Sequence, residues 1–260
     1  MKVLFLYSPN LSNHYVINHI AKKHEVFKIA EQQNHLNILS RVLDRKHDTV
    51  FSKIDKLLFF GFYALFIQSK LEKHLSRLFE GSEHLAPELM VKDINHTDAI
   101  QFARAINADI IFVLGTTLLH DEWLNIGKPI INAHTGILPK YRGRFCWFWP
   151  IYNEEFSQVG VSIHHIEKRA DAGYVIIRNL LDLEKIGQVN IYSILSALPK
   201  LILRGFEDAL KSFTGGELFG SSPRMQEKLY PIFLEPGLSQ YLRFKKIIRK
   251  NFPRKSIYSQ

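Results

Sequence analysis

Three observations predict an α/β fold built on a mostly parallel, doubly wound sheet. Short, continuous apolar runs recur along the chain, among them Lys2–Tyr7 (KVLFLY) and residues 109–114 (DIIFVL). A strand covered on both faces reads this way. Between such runs lie segments with helical spacing, the first at residues 11–23, where Val16, Ile17 and Ile20 share one side. Residues 24–29 (HEVFKI) then alternate like a strand, which completes a βαβ opening.

The remaining elements follow in order. Ser-Pro-Asn at 8–10 is a turn after the first strand. In residues 56–79, Lys56 is followed by eleven uncharged residues, LLFFGFYALFI, and the pattern then turns amphipathic, with Ile67, Leu71, Leu75 and Leu78 among Lys70, Glu72, Lys73 and Arg77. Eleven is well short of the roughly 20 apolar residues that span a bilayer. The segment reads as an amphipathic helix, buried or partner-facing, with a membrane surface as the alternative. Leu89–Val91 is a short strand, and Asn95 is the expected N-cap of a helix reaching about Ile106. Residues 109–114 and 129–133 are central strands. Residues 158–166 and 174–183 alternate as a strand pair, and residues 190–211 are a long helix. Breaks fall at Thr214-Gly215-Gly216 and Ser221-Ser222-Pro223.

Composition narrows the class. The chain has 260 residues, 46% of them hydrophobic and 23% charged, as in ordinary globular proteins. That length fits one large domain, or a domain with a small appendage. A single cysteine, Cys146, excludes an intramolecular disulfide and a thiolate cluster, and fits the cytoplasm. The histidines lack the spacing of a zinc site, so no metal is implied. A formal net charge of +9 favours anionic partners without choosing among them. Much of the excess lies after Tyr241, in Arg243, Lys245, Lys246, Arg249, Lys250, Arg254 and Lys255.

Chemistry concentrates in two stretches. The first is Asn132-Ala-His134-Thr-Gly136-Ile-Leu-Pro139-Lys-Tyr141-Arg142-Gly143. Asn132 and His134 are two apart at a strand end, so both point to one face. Ligands of open α/β sheets sit outside the carboxyl ends of the strands. The second is Gly160-Val-Ser-Ile-His164-His165, a strand, leading to Asp171-Ala172-Gly173 at a turn. Taken singly, each piece is a common structural feature.

In order and spacing, the set resembles the formyltransferases that use 10-formyltetrahydrofolate. The matching pieces are the N-x-H segment, the Leu-Pro and Arg-Gly loop, the Gly-Val-Ser-x-His strand and the Asp-x-Gly turn. The resemblance covers residues 89–183 best. It implies a Rossmann-like, mostly parallel sheet of the formyltransferase type with a short C-terminal extension. The core would be residues 1–213, with an amphipathic helical insert at about 51–80, and the extension with its basic tail would be 214–260.

The same resemblance implies the roles. Asn132, His134 and Asp171 are the expected catalytic group. An acceptor amine attacks the formyl carbon and negative charge develops on its oxygen. His134 would donate to that oxygen, Asn132 would orient it, and Asp171 would tune His134 and help remove the amine proton. Each donor aimed at developing charge can lower a barrier by about 3–4 kcal/mol, and a positioned base adds roughly 10²–10⁴-fold. The pterin would lie against backbone of Leu114, Gly115, Thr116 and Thr117 and of Ile166, Glu167, Lys168, Arg169 and Ala170. Lys168-Arg169-Ala170 departs from the acidic, Gly-ended loop of relatives, and Ala172 replaces a frequent Thr. Tyr141, Arg142 and Gly143 are the candidates for touching the acceptor. Most of the aromatic cluster Phe145–Tyr152 reads as core.

Architecture separates the family's branches. The first loop has no glycine, unlike the phosphate loop of glycinamide ribonucleotide formyltransferases. The hydrolase branch carries a domain ahead of the core, and the methionyl-tRNA branch a β-barrel after it; neither is expected here. A sugar-nucleotide N-formyltransferase is the reading that remains. Its acceptor would be a primary amine on a nucleotide-linked deoxy-amino sugar, for surface polysaccharide synthesis. The segment Tyr230-Pro231 to Pro236, followed by Tyr241-Leu-Arg243-Phe244, resembles the tail of some of these enzymes and equally suits a proline-bounded docking segment. Two alternatives stand beside this reading: a methionyl-tRNA formyltransferase-like enzyme acting on another amine, and a non-catalytic membrane-surface or partner-binding protein on the same scaffold. Residues 56–79 and the basic tail are the expected contacts with a membrane surface or a second copy.

Overall fold

A computed structural model describes residues 1–32, 42–45, 48–80, 86–214 and 230–253. β1 (Lys2–Tyr7) leads into α1 (Leu11–Ala21), and β2 (Glu25–Glu31) returns parallel to β1. Asn10 caps α1 by accepting from the Asn13 N–H at 3.0 Å, which satisfies one of the helix's open donors. A helical excursion follows: α2 (Val50–Phe62), a π-helical turn (Tyr63–Gln68) and α3 (Ser69–Leu78). β3 (Leu89–Val91) pairs with β2 and leads to α4 (Thr97–Ile106). The cap of α4 is His96, whose Nδ1 accepts from Asp98 N at 3.3 Å, and not Asn95. Asn95 instead bonds the carbonyl of Leu118 and the N–H of His120, tying the loop after the next strand to this one.

β4 (Ile110–Leu114), α5 (Asp121–Leu124) and β5 (Ile130–His134) complete a run of five parallel strands. After α6 (Trp149–Tyr152), β7 (Gly160–His165) and β8 (Val175–Leu180) are added antiparallel. The sheet order is β3–β2–β1–β4–β5–β7–β8. α7 (Ile191–Thr214) packs across β7 and β8. The predicted breaks after Thr214 and at 221–223 lie outside the described residues.

Alternation along the strands divides the core into two layers. Val3, Phe5, Tyr7, Ile110, Phe112 and Ile131 meet α1 and α7 on one face. Leu4, Leu6, Ile111, Val113, Ile130 and Trp123 pack with α4 on the other. Side chains of period two fill both layers. Residues 230–253 join the first layer. β9 (Ile232–Phe233) pairs with β6 (Arg142–Gly143), and α8 (Leu238–Asn251) buries Tyr241, Phe244, Ile247 and Ile248. Phe148 stacks on Phe244 at 4.6 Å, so the aromatic cluster is core, as its composition predicts.

Candidate active site

β5 and β7 build the site directly from their register. Asn132 faces His164, and His134 faces Ser162. All four side chains lie on the face that carries Ile130. Paired side chains on neighbouring antiparallel strands sit about 5 Å apart at Cβ, close enough for polar groups to meet. The Asn132 amide nitrogen lies 3.0 Å from His164 Nε2.

The tautomers follow from the partners. His164 Nδ1 is 2.8 Å from the carbonyl of His165, so Nδ1 carries the proton and Nε2 accepts from Asn132. Burial, with the neighbouring His134 adding to it, brings the His164 pKa down to about 4, which keeps the ring neutral. His134 Nε2 is 2.8 Å from the carbonyl of Tyr141 and therefore donates. Its Nδ1 stands 3.4 Å from Asp171 Oδ1, an ion-pair distance. Both nitrogens of His134 are engaged. Among the described residues, no protein group meets the second amide N–H of Asn132 or its Oδ1.

Asp171 is fixed by its turn and by the loop opposite. Its φ is +49°, a left-handed conformation that Asp tolerates better than bulky residues. Gly143 N–H donates to its Oδ2 at 2.8 Å. A Cβ at Gly173 would overlap the carbonyl of His165. The loop after β5 is held from beneath by Ser162, whose hydroxyl donates to the Gly136 carbonyl at 2.8 Å and accepts from Leu138 N at 3.0 Å. Gly136 is also obligatory, since a Cβ there would stand 2.7 Å from His134 Nε2. Cys146 is buried nearby, and burial pushes its thiol up, so it is no nucleophile.

Beside this group a cavity of about 400 Å³ opens, lined by Leu124, Gly127, Lys128, Pro129, Ile130, His165 and Ile166. Ile130 is two residues before Asn132, and Ile166 two after His164. Both therefore share the face of Asn132 and His164, about 7 Å along each strand, although neither of those two residues lines the cavity. The volume lies in the range of small-molecule sites.

No family model matches the sequence. Solved structures do match the fold. A sugar N-formyltransferase from a Shewanella species superposes with a TM-score of 0.55 at 11% identity, over 95% of this chain and 87% of that one. Glycinamide ribonucleotide transformylase 1 from Symbiobacterium toebii gives 0.55 at 14% identity, over 87% and 94%. HypX from Aquifex aeolicus, solved in complex with tetrahydrofolic acid, gives 0.52 at 14% identity over 97% of this chain, which spans 35% of HypX. This chain has the formyltransferase fold.

Within the formyltransferase fold, the residues expected at the folate divide into two groups. Ile166 lines the cavity. Glu167, Lys168 and Arg169 are exposed, and Lys168 pairs with Asp121 at 2.9 Å. The Ala170 carbonyl accepts from Arg142. At the end of β4, much of the backbone is already used. Leu114 and Gly115 carbonyls accept from Ser8, and the Thr117 N–H and hydroxyl both donate to the buried Glu31 at 2.7 Å. Glu31 thus sets the shape of that loop, a role its strand position did not reveal.

The acceptor candidates are bracing residues in this conformation. Tyr141 is fully buried, stacks on Phe233 at 5.3 Å and donates to Glu155 at 2.7 Å. Arg142 is buried too, and donates to the carbonyls of Ala170 (2.5 Å) and Tyr230 (3.2 Å). Gly143, at φ +100°, gives its N–H to Asp171. Together they tie the Asp171 loop to the C-terminal segment. Glu235, buried, anchors that segment through Arg45 at 2.6 Å and Arg144 at 2.5 Å.

Proposed function

We propose that this chain is a folate-dependent N-formyltransferase whose acceptor is a primary amine on a nucleotide-linked deoxy-amino sugar. The observation that carries this reading is the meeting of Asn132, His134 and His164 on one sheet face with Asp171, on the turn after β7, 3.4 Å from His134. The cavity fits a flat heterocycle. Leu124, Pro129, Ile130 and Ile166 offer apolar contact, and Gly127 and Lys128 complete the lining. 10-Formyltetrahydrofolate, held there, supplies the formyl group.

The protein's own contribution is positional and protonic. Asn132 has one amide N–H committed to His164 and a second open to the formyl oxygen. A fixed donor aimed at developing negative charge is the arrangement that speeds acyl transfer. His134 has its ring held by the Tyr141 carbonyl, and its Nδ1 faces the Asp171 carboxyl at 3.4 Å. That pair accepts the amine proton and returns it to the leaving nitrogen. Neutral His164 matters for the same reason: an imidazolium there could not accept from Asn132. The resemblance implied His134 as the oxygen's donor. The hydrogen bonds here favour Asn132 in that role.

Two features support a sugar-linked acceptor. The Shewanella sugar N-formyltransferase matches this chain nearly end to end, and the residues after 229 close onto the site loop through β9 and Glu235. A formyl-transfer assay tests the reading. The protein would be mixed with 10-formyltetrahydrofolate and dTDP-, GDP- and UDP-linked amino sugars, and mass spectrometry would seek a formylated product. Tetrahydrofolate release without formylated sugar would point to another acceptor; no folate binding would overturn the reading.

A further inference from the structure

The helical excursion between β2 and β3 leaves an apolar face uncovered among the described residues. Phe51 is 86% exposed and Leu65 73%, with Ile54, Leu58 and Phe66 about half exposed. Phe51, Ile54, Leu58, Gly61 and Leu65 follow at intervals of three and four, so they form one stripe along α2 and the π-helical turn. The opposite side, with Phe59 and Ile67, is buried in the core.

α8 lies alongside α2. Ser239 bonds Asp55 at 3.0 Å through its N–H, and Tyr241 packs against Phe59 at 5.9 Å and Phe62 at 5.5 Å. From its start to Asn251, α8 carries Arg243, Lys245, Lys246, Arg249 and Lys250 and no acid. Leu242, Lys246, Arg249 and Lys250 are exposed. An apolar stripe is therefore flanked by a cationic helix. On α2, Asp55 bonds Ser239 at the start of α8, and its one negative charge leaves the five cations of α8 in excess.

We infer that this face docks on an anionic lipid surface. An aromatic and aliphatic stripe beside cations is the pattern of helices that lie in the membrane interface. No helix among the described residues is long and apolar enough to cross a membrane, so the contact is lateral. A second copy suits the face less well. Heptad positions flanking the stripe (Asp55, Leu57, Phe62, Ala64, Ser69, Leu71) carry a single charge, and so lack the complementary charges that specify helix pairing. A two-fold contact would also bring each cationic α8 toward its own copy.

Vesicle co-sedimentation tests this independently of any formyl transfer. The full chain is expected to sediment with vesicles of phosphatidylcholine and phosphatidylglycerol, far less with phosphatidylcholine alone, and to be released as salt rises. Phe51→Ser, Leu58→Ser and Leu65→Ser combined should weaken binding about tenfold or more. Lys246→Gln, Arg249→Gln and Lys250→Gln combined should abolish the preference for the anionic lipid, and, being at exposed positions, keep the test decisive if the apolar variant does not fold. Failure of the native protein to sediment with anionic vesicles, or unchanged binding by the charge variant, would overturn the proposal. So would sedimentation velocity showing a native dimer that the apolar variant dissolves, since a second copy would then occupy the face.

Discussion

Asn132 donates an amide proton to Nε2 of His164 across the β5–β7 ladder at 3.0 Å. Two backbone facts produce this bond. Antiparallel register places the residues opposite each other, and the His165 carbonyl takes the Nδ1 proton of His164. The ring is thereby left with an acceptor aimed at Asn132, and the amide is orientated with one N–H to spare.

Removing that acceptor should cost rate more than affinity. His164→Ala is expected to lower kcat about tenfold or more, since Asn132 loses its fixed orientation, while KM for the formyl donor changes little. His164→Gln, whose side-chain oxygen can also accept, should recover part of the loss. Steady-state kinetics on the two variants checks this; equal kcat in His164→Ala and native protein would argue against the orienting role.

The His134–Asp171 pair has a sharper expectation. His134→Ala and Asp171→Asn should each reduce turnover by about 10²-fold or more. The double variant should be little worse than either alone, because the pair acts as a unit. Additive losses would mean that the two residues act separately.

His164 also gives the fold an acid-sensitive window. Its folded pKa of about 4 lies below the ordinary 6.5, so the unfolded chain binds the proton more readily. Stability therefore falls as pH drops from about 6.5 to about 4, and the full penalty is present below that. Thermal melts of native protein and His164→Gln across this range should converge toward acid pH, as the native chain loses stability that the variant has no titrating ring to lose.

Gly173 is predicted to be irreplaceable by alanine. The added methyl would overlap the His165 carbonyl, so the turn carrying Asp171 must shift. Gly173→Ala should destabilise by about 2–3 kcal/mol, read by urea unfolding, and should lose activity beyond what stability explains.

Glu235 links the C-terminal segment to the site loop. Burial alone would raise its pKa, but a backbone hydrogen bond and Arg144 hold it below the usual carboxylate value. The stabilisation is present above about 4.5 and is lost as pH falls through the lowered folded value. Glu235→Ala should cost about 1–3 kcal/mol, because Arg144 is partly exposed and solvent screens its share. Activity should fall with it, since β9 holds β6 and Gly143 holds Asp171. Full activity in this variant would separate the tail from the site.

The strands Lys2–Tyr7 and Leu89–Val91 were legible in the sequence to the residue; the first, buried on both faces from Val3 to Tyr7, must be continuously apolar, and the second is a short apolar run at the sheet edge. Part of the geometry of the candidate site was legible as well. Asn132 and His134 share a face through the two-residue period, and Asp171 precedes a Gly turn. Other features left no local trace. β6 and β9 are two residues each, too short to carry a period, and they pair across ninety positions of chain. Asn95 looked like a cap by type, yet His96 has the geometry, and Asn95 serves a loop more than twenty residues away. Tyr141 and Arg142 looked like contacts for a ligand because polar residues beside a catalytic motif usually face solvent or substrate. Only packing against Phe233, Glu155 and Ala170 turned them inward. Local chemistry thus determined which residues form the elements and which polar groups share a strand face. Which nitrogen of His134 donates, which proton Asn132 keeps free and what anchors Asp171 were decided by the tertiary structure, because hydrogen-bond direction depends on partners that the chain brings together only when folded.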